Sequence, residues 1–163
     1  MTGAVQIRPF AAADRPGLLA LVRELQAFEG DLYDRMIPAE QIGDAYIEGL
    51  LAACRQKDGR LLVAAEGNTL IGYMAVMLAE TSDHSHDEVA YTYAYVQDLA
   101  VTASHRGKGL GSRLLAVAED LARTAGVRWI RLSVLADNSN AVDAYDKAGF
   151  RPLFSIMEKP LNP

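Results

Sequence analysis

Apolar residues along this chain recur at two different spacings, which together predict a protein of mixed helices and strands. Before a break at residues 29–31, apolar residues recur every three or four positions, as one buried face of a helix requires. These residues are Leu18, Leu21, Val22, Leu25 and Phe28. Further helices are predicted after Pro38, after residue 109 and after residue 138. Short runs rich in β-branched and aromatic residues predict strands at 5–8, 60–66, 69–79, 91–101, 128–135 and 153–158.

Two turns divide the middle of the chain. Gly67 and Asn68 lie between two predicted strands and indicate a tight hairpin. Residues 80–88 form a polar stretch that includes His84 and His86. A metal site on this histidine pair is conceivable, but no further residues have ligand spacing, so a solvated loop and no metal are expected.

The strand at 91–101 leads into a glycine-rich turn and then into a helix whose apolar face begins at Leu110. Such a turn presents backbone N–H groups at a helix N-terminus, where an anion such as a pyrophosphate binds. A Walker-type loop is excluded because Lys108 is followed by glycine rather than serine or threonine. A dinucleotide turn is excluded because the glycines at 107, 109 and 111 have the wrong spacing.

A second block, residues 138–150, follows the predicted strand at 128–135. Asn138 is a good N-terminal cap for a helix, and Gly149 suits the C-terminal end of that helix. Tyr145 lies within this block and, taken alone, is better explained by core packing than by chemistry.

Together these blocks resemble the GNAT-type N-acetyltransferases. Arg106, Gly109 and Gly111 match the pattern R/Q-x-x-G-x-G/A, and residues 138–150 match N-x-x-A-x-x-x-Y-x-x-x-G-F. The resemblance implies an α/β fold with a mixed, mostly antiparallel twisted sheet of six to seven strands and about four helices on both faces. It also implies that residues 1–163 form a single domain. Residues 25–29 and 95–99 are loosely similar to the diamine acetyltransferase branch.

The resemblance implies a binding site for acetyl-CoA as cosubstrate. The turn is expected to hold the pyrophosphate, the end of the preceding strand to pair with the pantetheine arm, and the asparagine to bond that arm. The residues in these roles are Leu99, Ala100, Val101, Arg106, Gly107, Lys108, Gly109, Leu110, Gly111, Ser112 and Asn138.

The same resemblance gives Tyr145 the role of the acid that protonates the departing thiolate. The general base is left open, because Gln97 stands where the diamine branch usually has glutamate, and glutamine does not hold a proton at neutral pH. Asp98 is the alternative, although a regular strand would point it to the opposite face unless a β-bulge intervenes. Solvent is the third possibility.

The acceptor residues are predicted from charge and aromatic character. Glu29 and the carboxylates of the polar loop are expected to attract a cation, and Tyr93 and Tyr95 share a face that suits an alkylammonium or ordinary sheet packing. With a net charge of −5, the chain is not expected to have a basic surface that binds nucleic acid. No run is long enough for a membrane span. One cysteine, Cys54, suits a reducing cytoplasm.

The expected function is acetyl transfer from acetyl-CoA to a primary amine of a small molecule, such as a polyamine, an amino acid or an aminoglycoside. Two alternatives stay open at this point. One is a protein or peptide N-acetyltransferase, and the other is a non-catalytic acyl-CoA-binding module of the same fold, which the glutamine at 97 favours. A homodimer built on the last predicted strand is also expected from the resemblance.

Overall fold

A computed structural model describes residues 4–82 and 89–161 of the chain. Its strands are β1 (Val5–Pro9), β2 (Arg60–Glu66), β3 (Thr69–Thr81), β4 (Thr92–Val101) and β5 (Ile130–Leu132). Its helices are α1 (Arg15–Leu32), α2 (Asp44–Gln56), α3 (Leu110–Thr124) and α4 (Ser139–Lys147).

The strands form one sheet in the order β1-β2-β3-β4-β5. Neighbouring strands are antiparallel except for β4 and β5, which run parallel. Helices α1 and α2 pack against one face of the sheet around the buried Tyr73. Helix α3 covers the opposite face, where Tyr145 of α4 and Phe150 join the same core. The predicted fold class, with helices on both faces of a mostly antiparallel sheet, is therefore confirmed.

Helix α1 continues further than the sequence predicted. Residues 29–31 were expected to break it, but the helix extends to Leu32, and the carbonyl of Glu29 still accepts a bond from the Tyr33 N–H at 2.9 Å. A single glycine costs a helix only about 1 kcal/mol, which packing of the apolar face offsets. Glu29 therefore lies on a regular helix. Helix α2 begins at Asp44, and Pro38 precedes a short 3-10 turn, Ala39–Gln41.

The sheet has five strands in the described residues, where six to seven were expected. Residues 153–158 form no strand, and β5 covers only Ile130–Leu132 of the predicted 128–135. A strand needs a neighbour for its backbone hydrogen bonds, and this segment has none beside it in a single copy. Its apolar side chains are exposed instead, with Ile156 fully accessible and Met157 92 % accessible.

Two further expectations concern the loop and the surface. The polar loop expected at 80–88, with His84 and His86, falls at 83–88 outside the described residues. Within residues 4–82 and 89–161, no three His, Cys, Asp or Glu side chains are grouped to hold a metal ion. No helix in those ranges has the length and apolar character needed to cross a bilayer.

The close approach of β3 and β4 supplies a test of the packing. Gly72 is buried opposite Val101, and a Cβ added there would lie 2.9 Å from the Ala100 carbonyl oxygen, a backbone atom that cannot rotate away. We expect Gly72→Ala to lower the free energy of unfolding by about 1–3 kcal/mol in urea denaturation. Gly49→Ala is the matched control, since Gly49 is an exposed position of α2 and nothing lies within 4 Å of the added Cβ. We expect this substitution to raise the free energy of unfolding by about 0.5–1 kcal/mol. Equal effects of the two substitutions would contradict this packing.

Candidate active site

A β-bulge in β4 sets the orientation of the site. In the register with β3, Val76 pairs with Val96 and Ala75 pairs with Asp98, so Gln97 is an extra residue between them. The bulge shifts the alternation of side chains by one position. Val96 packs in the core under α3, whereas Asp98 points to the opposite face, toward α1 and α2.

Asp98 is a nearly buried carboxylate, 9 % exposed. Its Oδ2 accepts hydrogen bonds from the hydroxyl of Tyr46 at 2.8 Å and the hydroxyl of Tyr73 at 3.0 Å. Burial raises the pKa of this carboxyl above its ordinary value, while the two hydrogen bonds act in the opposite direction. Asp98 is therefore a fixed carboxylate with an increased affinity for a proton.

Strand β4 also has an open edge beside this carboxylate. Strand β5 pairs with β4 only from Ala94 to Val96 and ends at Leu132. In the described residues, β4 therefore continues from Gln97 to Val101 without a strand neighbour on that side. An open edge of this kind is a place where another extended chain adds by backbone hydrogen bonds.

A pocket of about 100 Å³ lies where this edge meets α1. It brings together five residues that the sequence analysis assigned to chemistry or binding, namely Glu29, Gln97, Asp98, Leu99 and Tyr145. Its remaining lining residues are Val22, Leu25, Gln26, Tyr46, Val96, Leu132 and Ser133. Residues from α1, α2, β4 and α4 thus converge on one small cavity.

Burial and neighbouring negative charge raise the pKa of both Glu29 and Tyr145 in this pocket. Burial, together with the negative charge of Asp98, raises the pKa of the Glu29 carboxyl. Burial and the charge of Glu29 raise the pKa of the Tyr145 phenol, so the phenol keeps its proton at neutral pH. The Tyr145 ring is held by an edge contact with Phe150, with ring centroids 5.9 Å apart.

The glycine turn before α3 has the backbone geometry of an anion site. Gly107 has φ of +72° and Gly109 has φ of +81°, values that side chains disfavour. A Cβ at either position would meet nothing within 4 Å, so the space over the turn is open. No side chain caps the start of α3, where Leu110, Gly111 and Ser112 present the first N–H groups of the helix.

The two basic side chains of the turn are already engaged with the protein. The Arg106 guanidinium donates to the Val101 carbonyl at 2.9 Å, bonds Glu24 at 3.3 Å and lies over the ring of Phe28. The Lys108 ammonium donates to the Ser104 carbonyl at 2.9 Å.

Asn138 performs the predicted capping role at the start of α4. Its side-chain oxygen accepts a hydrogen bond from the Ala141 N–H at 3.2 Å.

The two tyrosines predicted to line the acceptor site, Tyr93 and Tyr95, are not among the residues that line the pocket. The Tyr95 hydroxyl donates to Ser133 at 3.0 Å, so Tyr95 reaches the cavity through that residue. The ring of Tyr93 lies under the Arg131 guanidinium, 4.3 Å away, and away from the lining residues. Sequence reasoning assigned no role in the site to Tyr46 or Ser133, because no local motif links α2 or the end of β5 to Asp98.

A second, larger hollow of about 300 Å³ lies on the β1 side of the turn. Its lining includes Glu66, His105, Lys108 and Arg113. None of the acceptor residues predicted from the sequence borders it.

Comparison with known proteins finds chains of similar sequence and a structure of similar fold. The chain is 35% identical over 112 residues to an uncharacterized N-acetyltransferase, YhdJ, of Bacillus subtilis, covering 68% of this chain and 75% of that protein. It is 27% identical over 154 residues to thialysine N-epsilon-acetyltransferase of Sus scrofa, covering 91% and 85%. A crystal structure of a mutant BH1408 protein from Bacillus halodurans superposes with a TM-score of 0.85 at 21% identity, covering 96% of this chain and 99% of that one.

The family assignment rests on more than half of the chain. The acetyltransferase (GNAT) family profile matches residues 22–150, which begin within the first helix, include the bulged strand and the glycine turn, and end at Phe150. Members of this family transfer acetyl groups from acetyl-CoA. This chain is an acetyl-transferring enzyme and belongs to the acetyltransferase (GNAT) family.

Proposed function

We propose that this enzyme transfers the acetyl group of acetyl-CoA directly to a primary amine of a small molecule. The observation that carries the proposal is the pocket beside the open edge of β4, where Glu29, Asp98 and Tyr145 converge. Transfer requires a neutral amine, a polarised carbonyl and a proton for the departing thiolate. The Tyr145 phenol and the carboxylates of Glu29 and Asp98, all in one cavity, are suited to these proton movements.

The cosubstrate site is proposed to run along the open edge and into the glycine turn. Backbone N–H groups at the start of α3, from Leu110 to Ser112, would hold the pyrophosphate, with Gly107 and Gly109 letting it approach the backbone. The edge of β4 at Leu99, Ala100 and Val101 would pair with the pantetheine arm, and Asn138 would bond it. Acetyl-CoA supplies the activated thioester.

The proton movements are assigned to residues of the pocket. The amine nitrogen forms the new bond to the acetyl carbon, and the bond between that carbon and sulfur breaks. Asp98 takes the proton that the amine loses, with Tyr46 and Tyr73 holding its carboxylate in place. Tyr145 gives its proton to the thiolate. Gln97 has no proton to exchange and is proposed to position groups at the bulge.

The acceptor is proposed to be a small cationic amine. Glu29 is half-buried, and in the described residues no donor bonds its carboxylate, which suits it to receive an ammonium. The cavity of about 100 Å³ suits a short aliphatic amine. The similarity to thialysine N-epsilon-acetyltransferase supports an amino group on a flexible side chain. We place the reaction in the cytoplasm, where the lone Cys54 stays reduced.

One observation favours a second candidate, a module that binds acyl-CoA without catalysis. Gln97 occupies the position where the diamine branch usually has glutamate, so the protein has one carboxylate fewer at the site.

Release of coenzyme A thiol distinguishes the two functions. The purified protein is incubated with acetyl-CoA and, one class at a time, with polyamines, amino acids, aminoglycosides and short peptides. We expect amine-dependent release with a small amine and a loss of about 10²–10⁴-fold in kcat for Tyr145→Phe, which removes the acid but keeps the ring contact with Phe150. The control is Tyr33→Phe, outside the pocket. Binding of acetyl-CoA without release for any amine would favour the binding module.

The two carboxylates are separated by pH profiles. The ordinary carboxyl values are 3.8 for aspartate and 4.5 for glutamate, and the pKa of each group here is raised. Protonation of Asp98 as the pH falls removes the base, so the acid limb of kcat should lie above the ordinary aspartate value of 3.8. We expect Asp98→Asn to lower kcat, and Glu29→Gln chiefly to raise KM for the amine. An unchanged kcat in Asp98→Asn would assign the proton to solvent.

We further propose that two copies form a dimer through the segment 153–157. Four of its apolar side chains are exposed, Leu153 by 59 %, Phe154 by 74 %, Ile156 by 100 % and Met157 by 92 %. Each copy also carries β5 as the last strand of its described sheet, so each offers both a strand-forming segment and an edge to receive it. Each exposed apolar side chain contributes on the order of 100 Å² to the buried area. The two segments, together with the surfaces that they cover, would then bury about 1,600 Å², the size of a standard interface.

Sedimentation velocity tests the dimer. We expect the wild-type chain to sediment as a dimer and Ile156→Glu to sediment as a monomer with an unchanged circular dichroism spectrum, because Ile156 contacts nothing in one copy. Val89→Glu, at a residue 85 % exposed and outside the segment, is the control and should remain dimeric. A monomeric wild-type protein, or a dimer that persists in Ile156→Glu, would refute this interface.

A further inference from the structure

The carboxylate of Glu24, on α1, makes three polar contacts with the turn between β4 and α3. Its carboxylate accepts a hydrogen bond from the Thr102 hydroxyl at 2.9 Å and from the Ala103 N–H at 2.7 Å. It also accepts a bond from the Arg106 guanidinium at 3.3 Å. A single carboxylate on α1 therefore bonds three residues of a turn that lies about 80 residues away in sequence.

The turn needs such an anchor because of its own composition. Gly107 and Gly109 are needed for positive φ, yet glycine also gives an untethered loop the greatest freedom. A loop that must become ordered when a ligand arrives loses affinity by that ordering cost. Hydrogen bonds to an ionised carboxylate are about twice as strong as neutral ones, so Glu24 can fix the turn before the ligand binds.

The charge of Glu24 is balanced within the same cluster. The Arg106 guanidinium also donates to the Val101 carbonyl and lies 5.1 Å from the ring centre of Phe28, which places it against α1. The pair contributes little net charge to the turn. Attraction for an anion is then left to the backbone N–H groups at the start of α3 and to Lys108.

Helix α1 serves the acceptor pocket with the same stretch of residues. Leu25, Gln26 and Glu29, which follow Glu24 within two turns, line the cavity that contains Asp98. A single rigid helix thus carries both the anchor of the glycine turn and the carboxylate assigned to the amine.

We propose that Glu24 is a positioning residue that preforms the turn for the pyrophosphate of the cosubstrate and fixes the turn relative to the acceptor pocket. This inference rests on the proposed function, because it takes the turn as the cosubstrate site. Glu24 bonds the turn and does not line the acceptor pocket, so its removal should weaken binding of coenzyme A and leave the chemical step intact.

Calorimetric titration with coenzyme A tests this role in the full chain. We expect Glu24→Ala to weaken binding by about tenfold or more and Glu24→Gln by a smaller factor, since glutamine keeps one acceptor oxygen. Thr102→Val, which removes one bond from the other side, should weaken binding by a few-fold. Glu48→Gln is the matched control, because Glu48 of α2 forms an exposed ion pair with Arg15 at the start of α1, away from the turn.

Two readouts separate positioning from general destabilisation. In Glu24→Ala, KM for acetyl-CoA should rise in parallel with Kd while kcat at saturation stays within about threefold. Amide exchange of Ala103, whose N–H donates to Glu24, should speed up while exchange in the core of β3 is unchanged. If the Thr102 and Glu24 variants bind coenzyme A as tightly as wild type, or if kcat falls with KM unchanged, the inference is wrong. If the wild-type chain itself does not bind coenzyme A, the proposed function fails first.

Discussion

The extra residue in β4 is the constraint on which the site depends. Without the bulge at Gln97, strict alternation along β4 would place Asp98 on the face covered by α3, away from Glu29 and Tyr46. With the bulge, the Asp98 carboxylate lies on the face covered by α1 and α2, where it accepts hydrogen bonds from two tyrosine hydroxyls. Beyond the same point β5 has ended, so the residues after the bulge are free to pair with a ligand instead of a strand. The bulge therefore sets the side of the sheet on which Asp98 lies, and the end of β5 leaves the adjacent edge open.

Helix α1 relates the two ends of this site. Its apolar face, with Leu18 and Val22 buried against the sheet, fixes the helix axis. Its polar positions then point Glu24 at the turn before α3 and Glu29 into the pocket. The burial that raises the pKa of Glu29, Asp98 and Tyr145 is a consequence of the same packing. The packing that fixes α1 therefore also sets the environment of the ionisable groups in the pocket.

Local patterns in the sequence were enough to predict most of the scaffold. Apolar spacing placed the first helix and the hairpin strands, and the cap at Asn138 placed the start of α4. Long-range pairing was harder to predict. The bonds from Tyr46 and Tyr73 to Asp98, and those from the turn to Glu24, join residues that no motif connects. The strand expected at 153–158 failed because strand formation depends on a neighbour as well as on composition. Gly30 likewise lies within a helix because tertiary packing outweighs a small intrinsic preference.

In the proposed complex, the cosubstrate lies along the edge of β4 and ends at the glycine turn. Amide hydrogen exchange, measured residue by residue with and without acetyl-CoA, tests this position. We expect added protection at residues 97–101 and at the first N–H groups of α3, with little change around Glu66 and His105. Protection centred instead on the hollow beside Glu66, His105 and Arg113, with the edge of β4 unaffected, would contradict it.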